Sequence, residues 1–287
     1  MNRPTLGILI TSYNDDRAIL NRCIRSAYEQ DYENLFIVCI DDGSDVPVSE
    51  VIDFPFTESR LQIKRIRHSE RSVSRDTGLE VLREKGADYF VFIDSDMVLP
   101  AGFASRAVDF ITGNKCTGVV IPEVAFSQSD NYWTRVKVFE RNLYQAVCPV
   151  NRTSIEAARL WDLKNFPGFC NGLNAFEEIQ PTINCINSGG RVCRTADTYI
   201  LHDEKHVSLG GLLKKKSGYF SVMGDHRAAN LGDMFTRFYF FRPQLYTIKN
   251  IKSYFSHPLL FLGVVLLYTA LSASATVNII RGRCGRC

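Results

Sequence analysis

Three short apolar runs in the first hundred residues dictate the architecture, because each is too short for a helix and stops abruptly in a polar, acid-rich turn. Leu6–Ile10 runs into Thr11-Ser12-Tyr13-Asn14-Asp15-Asp16, Leu35–Ile40 into Asp41-Asp42-Gly43-Ser44, and Tyr89–Ile93 into Asp94-Ser95-Asp96. Leu61–Ile66 reads as a further strand. Runs of this length bounded by turn formers are buried strands. Between them the periodicity becomes helical. Ile19, Leu20, Ile24 and Ala27 follow a cap at Asp15 or Asp16, and the helix expected over Ser74–Lys85 stops at Gly86. Strands alternating with helices imply an α/β fold, a mostly parallel sheet with helices on both faces. In such sheets ligands sit beyond the carboxyl ends of the strands. Here the polar motifs all follow strands, at one rim.

Two carboxylates at the mouth of a strand repel each other and lose solvation. A divalent metal carrying a diphosphate would offset Asp94 and Asp96 economically, because hard oxygen ligands suit Mg²⁺ or Mn²⁺. The Asp-x-Asp triplet alone is a weak signal, since loops and caps use it too. Its company strengthens it: TSYNDD at 11–16, IDDGSD at 40–45 and SVSRDTG at 72–78 precede it in order. A net charge of +3 on 287 residues is too small to point to nucleic acid. No Walker loop, no Gly-x-Gly-x-x-Gly and no Cys–His or Ser–His nucleophile has comparable support. Nine scattered cysteines, with Met1-Asn2-Arg3-Pro4 leading straight into a strand, give the expectation of no signal peptide and free thiols.

Further along, the sequence suggests a helix over Ala101–Phe110, a strand over Thr117–Ile121, helical text from Ser129 to Ala158, and short elements at Ile186–Val192 and Thr198–Leu201. Pro258–Ile280 contains no charged residue and is long enough to span a bilayer, which takes about 20 apolar residues. Every charged residue after Asp233 is basic, and Phe238, Tyr239, Phe240, Phe241, Tyr246, Tyr254 and Phe255 form an aromatic collar. That combination suits an anionic membrane surface, with a spanning or an interfacial helix. A buried helix completing a soluble fold is the alternative. The expected division is an α/β domain over 1–225, then a basic, aromatic segment with the apolar helix over 226–287.

Over residues 5 to 220 these motifs resemble the inverting family 2 glycosyltransferases of the GT-A fold. The resemblance implies a nucleotide-sugar site in which Thr11, Tyr13 and Asn14 lie near the base and Asp42 accepts its imino N–H, which suits a UDP- or GDP-linked donor. Arg75 contacts the diphosphate or fixes the loop. Asp76 stands where the family usually has Asn, exchanging an amide donor for an acceptor-only group. Asp96 binds the metal, Asp94 the ribose or the metal's waters, Ser95 lies between them on the donor side, and His202 supports the metal or diphosphate. Glu178 takes the role of base from its position after a Gly-rich segment, with Glu177 the competitor; the family usually has Asp there.

The implied reaction is one in-line displacement at the anomeric carbon with inversion. With a membrane-associated tail, the implied acceptor is a polyprenyl phosphate or lipid-linked glycan at the cytoplasmic face of the cell membrane. Two other classes stay open at this point. A nucleotidyltransferase would carry a Gly-rich basic loop near the N-terminus, which TSYNDD is not. A catalytically inactive, membrane-bound relative is favoured by Asp76 and Glu178 and opposed by the retained Asp94 and Asp96.

Overall fold

A computed structural model describes residues 3–145, 158–169, 179–215 and 243–284. In chain order the elements are β1 (Leu6–Ser12), α1 (Arg17–Tyr28), β2 (Leu35–Asp41), α2 (Val48–Val51), β3 (Leu61–Arg65), α3 (Arg71–Glu84), β4 (Tyr89–Asp94), β5 (Met97–Val98), α4 (Phe103–Asn114), β6 (Gly118–Val120), β7 (Glu123–Phe126) and α5 (Tyr132–Gln145). There follow β8 (Arg159–Asp162), α6 (Ile179–Asn187), β9 (Val192–Arg194), β10 (Ile200–Asp203), α7 (Ile248–Ser256) and α8 (Pro258–Cys284). The chain divides into two compact units, Met1–Glu123 with Val150–His202, and Val124–Pro149 with Asp203–Cys287. The boundary expected at residue 225 lies outside the described residues.

In the first unit seven strands lie in the order β3-β2-β1-β4-β8-β6-β9. β3, β2, β1 and β4 run parallel, β8 is antiparallel to both its neighbours, and β9 is parallel to β6. β2 is buried along its whole length, as a strand covered on both faces should be. Ile8 and Ile10 face the layer of α1 and α4, with Leu20, Ile24, Phe103 and Val108. Leu9, Val38 and Ile40 face the layer of α3, with Leu79 and Leu82. The mostly parallel sheet with helices on both faces is therefore present.

α3 sits unusually close to β1. A Cβ on Gly78 would lie 2.1 Å from Leu9 Cδ1, and one on Gly7 would lie 2.6 Å from Leu82 Cδ2. Each leucine thus occupies the space a side chain on the opposite glycine would need. At the start of α1 the capping alternative resolves to Asp16, whose Oδ1 accepts from Ala18 N and Ile19 N at 3.0 and 3.1 Å. Asp15 turns back and accepts from Ser12 Oγ at 3.0 Å.

Some sequence expectations are corrected. β8 is absent from them, because a four-residue strand bounded by Arg159 and Asp162 hides its pattern; the Arg159 side chain is buried and donates through Nε to Thr182 Oγ1 at 2.8 Å. α3 starts three residues before Ser74, and α4 runs from Phe103 to Asn114 rather than from Ala101 to Phe110. The expectation of free thiols fails at one pair. Cys116 and Cys193, 77 residues apart, form a disulfide joining the approach to β6 with its neighbour β9. Register brings them together: Val119 lies opposite Cys193, a juxtaposition no local spacing announces. Cys23, Cys39 and Cys185 are free and buried.

In the second unit α5 and α8 lie side by side and run in the same direction. Tyr132 OH donates to Leu259 O at 2.8 Å, a Cβ on Gly263 would meet Val136 Cγ2 at 2.3 Å, and Tyr268 OH donates to Glu140 Oε1 at 2.5 Å. Glu140 also accepts from Lys137 Nζ at 2.7 Å. Val264, Leu267, Tyr268 and Leu271 form the covered face of α8. Among the described residues no single helix is long and apolar enough to cross a membrane; Ile248–Ser256 and Pro258–Ser274, bent by 115°, reach that length and composition only as a pair.

Candidate active site

The rim is built by register. β1, β2 and β4 are neighbours, so Ser12 lies opposite Asp41 and Thr11 opposite Asp94. The turns that follow these strands therefore emerge side by side. Asp41 is fully buried and shapes its own turn: Oδ1 accepts from Ser44 N at 2.9 Å and Oδ2 from Val48 N at 3.1 Å. The next residue, Asp42, points to a different set of partners. Its Oδ1 accepts from Ser69 N and Ser69 Oγ at 3.1 and 3.0 Å, and its Oδ2 lies 2.9 Å from His68 Nδ1.

His68 Nδ1 also lies 3.2 Å from Asp42 O. Two oxygen acceptors at that nitrogen mean that Nδ1 carries hydrogen. The ring stacks on half-exposed Tyr13, with centroids 4.0 Å apart and planes inclined by 17°. Asn14 takes a left-handed conformation (φ 50°), donates its N–H to Ser44 Oγ at 3.1 Å and accepts from Asp45 N at 2.8 Å. These contacts bring Tyr13, Asn14 and Asp42 into one flat-walled, polar-floored group. Sequence reasoning missed His68 and Ser69. The available signal was position, since they follow β3 on the same rim.

The second group surrounds the acid pair. Phe92 and Asp94 lie two residues apart on β4 and share the sheet face that α3 covers. Buried Arg75, on α3, has its guanidinium carbon 3.9 Å from the centre of the Phe92 ring and Nη2 3.7 Å from Asp94 Oδ1. A planar cation stacked on an aromatic face is a placement lysine cannot reproduce. Asp76, one residue on, is half-buried. Burial raises its carboxyl above the usual range, Arg83 opposes that and Glu80 adds to it.

β5 pairs with β10 so that His202 lies opposite Met97, immediately after Asp96. His202 Nε2 lies 3.7 Å from Asp96 Oδ1, while Nδ1 lies 3.1 Å from Oε2 of buried Glu123. A carboxylate at Nδ1 orients the ring so that Nε2 faces Asp96. Histidine ligands of metals are commonly held by such a partner. Glu123 also accepts from Ala158 N at 3.4 Å. It escaped the sequence reading because 79 residues separate it from His202. Ser95, between the acids, is buried. The expected trio of Asp94, Asp96 and His202 does not converge: Asp94 turns to Arg75, and no three His, Cys, Asp or Glu side chains among the described residues form a ligand set. Two facing groups, Asp96 and His202, fit a cation that draws its other ligands from phosphate or water. Glu177 and Glu178 lie outside the described residues.

Cys23 is no nucleophile. Its Sγ lies 3.5 Å from Asp94 O, and burial pushes the thiol well up, with Cys39, Asp96, Asp15 and Asp94 adding to the effect.

Register thus sets the Tyr13–Asp42–His68 group beside the Arg75–Asp94 and Asp96–His202 groups on neighbouring strand ends. The profile of the family described as Glycosyl transferase family 2 matches residues 7–178, more than half of the chain. The chain belongs to this family. Among the relatives, an uncharacterized glycosyltransferase of Haemophilus influenzae is 28% identical over 120 residues, covering 40% of this chain and 45% of that protein. An N-acetylglucosaminyltransferase of Azorhizobium caulinodans is 24% identical over 136 residues, covering 46% of this chain and 34% of that one. The matches thus span less than half of either relative. The fold matches residues 1–349 of S. aureus TarS: in complex with UDP the TM-score is 0.54 at 12% identity, covering 88% of this chain and 72% of that one. With UDP-GlcNAc the TM-score is 0.55 at 10% identity, covering 96% and 83%. The GT-A architecture expected from the sequence is thereby established for this family 2 glycosyltransferase.

Proposed function

We propose that this family 2 glycosyltransferase moves a sugar, with inversion, from a UDP-linked donor to a lipid-linked acceptor at the cytoplasmic face of the cell membrane. The observation that carries the donor side is the meeting, on neighbouring strand ends, of the Asp42–His68–Tyr13 group with the Arg75–Asp94 and Asp96–His202 groups. The Asp42 carboxylate suits a base that offers an imide N–H, as uracil does and guanine can. Names of the relatives favour uracil and an N-acetylhexosamine: TarS is seen with UDP and UDP-GlcNAc, and the Azorhizobium protein is an N-acetylglucosaminyltransferase.

Arg75, fixed against Phe92, presents positive charge where the diphosphate leaves. Mn²⁺ or Mg²⁺ would be held by Asp96 and His202, with Asp94 beside them, and would neutralise charge on the departing nucleoside diphosphate. With a glycan acceptor, Glu178, or Glu177, takes the proton from the hydroxyl as its oxygen attacks the anomeric carbon; a polyprenyl phosphate attacks through an oxygen that is already anionic. The sugar–phosphate bond breaks on the opposite side, and the electron pair leaves with UDP. A polyprenyl phosphate or lipid-linked glycan suits the basic, apolar C-terminal region.

Nucleotide binding tests this reading. UDP, GDP and their sugars are titrated with Mn²⁺, with Mg²⁺ and with chelator, against the Asp94→Asn/Asp96→Asn variant. Metal-dependent binding of the UDP series, lost in the variant, is expected. Binding of no nucleotide, or binding indifferent to metal and to both acids, would leave the inactive-scaffold reading in its place.

A further inference from the structure

We infer that α7 and the first half of α8 lie in the plane of an anionic membrane surface and do not cross it. This deepens the membrane attachment in the proposed function, but it stands on the helices' own surfaces.

α7 is packed inside out. The residue it buries is polar: Asn250, 3% exposed, donates from Nδ2 to Leu143 O at 3.3 Å and to Leu245 O at 3.2 Å. Beside the exposed Lys249 and Lys252 it turns large apolar residues outward. Ile248 is 87% exposed, Phe255 83%, and Ile251 lies on the same face. α8 continues the pattern. Val264, Leu267, Tyr268 and Leu271 pack inward, while Leu259 and Leu262, 72% and 51% exposed, are joined on the outside by Val265 and Leu266. In water such a row of large aliphatic side chains is unfavourable, and a run of this size marks an interaction surface.

Charge decides the occupant. Lys249 and Lys252 are exposed among these residues, and no acidic residue follows Asp233. A second copy docking face to face would set lysine against lysine. An anionic lipid surface takes both the lysines and the aliphatic side chains.

Packing decides the orientation. The covered face of α8 is tied along its first three turns to α5, which carries Arg135, Lys137, Glu140 and Arg141. A transmembrane α8 would draw these charges into hydrocarbon beside it, which is costly. A helix lying in the interface keeps α5 on the wet side, and the 115° bend between α7 and α8 needs no second crossing.

The test uses the full chain and vesicles of phosphatidylcholine with and without phosphatidylglycerol. Flotation with the anionic vesicles is expected, and Leu262→Gln/Leu266→Gln should lower partitioning about a hundredfold with circular dichroism unchanged. Lys249→Gln/Lys252→Gln should remove the preference for phosphatidylglycerol. Depth is read from Leu259→Trp and Leu266→Trp, as quenching by brominated lipids above the background of Trp133 and Trp161. Equal, shallow depths support the in-plane helix, whereas a difference of about 10 Å, seven residues of helix rise, would overturn it. So would flotation indifferent to the leucine pair, or a protein that ignores vesicles and forms a dimer which the leucine variant dissolves. UDP binding measured without vesicles reports on the donor site separately, so failure of either reading is seen by itself.

Discussion

The two units of this glycosyltransferase present opposite kinds of surface. In the first, the side chains at the strand ends are polar and each is held by a named partner: Asp42 by His68 and Ser69, Arg75 by Phe92, His202 by Glu123. In the second, α7 and α8 turn apolar side chains outward; α7 buries Asn250, and α8 buries Tyr268, bonded to Glu140 of α5, among Val264, Leu267 and Leu271. Polar groups fixed in advance suit a small charged ligand, because little reorganisation remains when it binds. An apolar surface with scattered lysines needs no such fixing, since a fluid, extended partner adapts to it.

The sharpest way to break this comparison is to remove charge from the rim. Asp96→Asn should reduce sugar transfer about a thousandfold or more and leave vesicle flotation unchanged; comparable loss of both would mean the two surfaces are not independent. Next in size, Glu123→Leu should weaken Mn²⁺ binding about 10- to 100-fold, while Glu123→Gln, which keeps an acceptor for His202 Nδ1, should recover much of it. Isothermal titration with metal alone separates the two variants. Arg75→Lys keeps the charge and loses the stacked plane, so denaturant unfolding should show about 1–2 kcal/mol of lost stability together with weaker UDP binding.

On the other side, Gly263→Val should cost about 1–3 kcal/mol through overpacking against Val136, read as earlier unfolding with rim chemistry intact. The smallest effect is expected at Asp76. Its carboxyl is raised in the folded state by burial, with Arg83 opposing and Glu80 adding, so the native state resists ionisation more than the unfolded chain does. That penalty is absent below the unfolded value, near pH 4, and full once pH exceeds the raised folded value. Asp76→Asn should therefore raise stability slightly at neutral pH and leave it unchanged in acid. A pH series of chemical denaturation midpoints checks the sign.

What the sequence reveals follows from how local each cause is. The ends of β1, β2 and β4 were legible because an apolar run and the polar turn after it are contiguous, and register alone then brings Thr11, Asp42 and Asp94 to one rim. β3 hid the same signal. Gln62, Lys64 and Arg65 dilute its apolar run, so His68 and Ser69 beyond it drew no attention. Glu123 and the Cys116–Cys193 pair were out of reach, being joined to their partners only by tertiary register. For α8 the composition was plain but its two faces were not. A helix so largely apolar carries little periodic mark of which side α5 covers, and Gly263 and Tyr268 are the residues that meet α5 there.

The paired glycines of the first unit have a consequence for how the rim keeps its dimensions. With Leu9 lodged at Gly78 and Leu82 at Gly7, α3 is latched to β1 at two points a helical turn apart, one peg directed each way. A helix so pinned can neither slide along the strand nor roll across it, and Arg75, three residues before Gly78, inherits that immobility. The separation of Arg75 from the acids of β4 is therefore set by two places where the chain has no side chain at all.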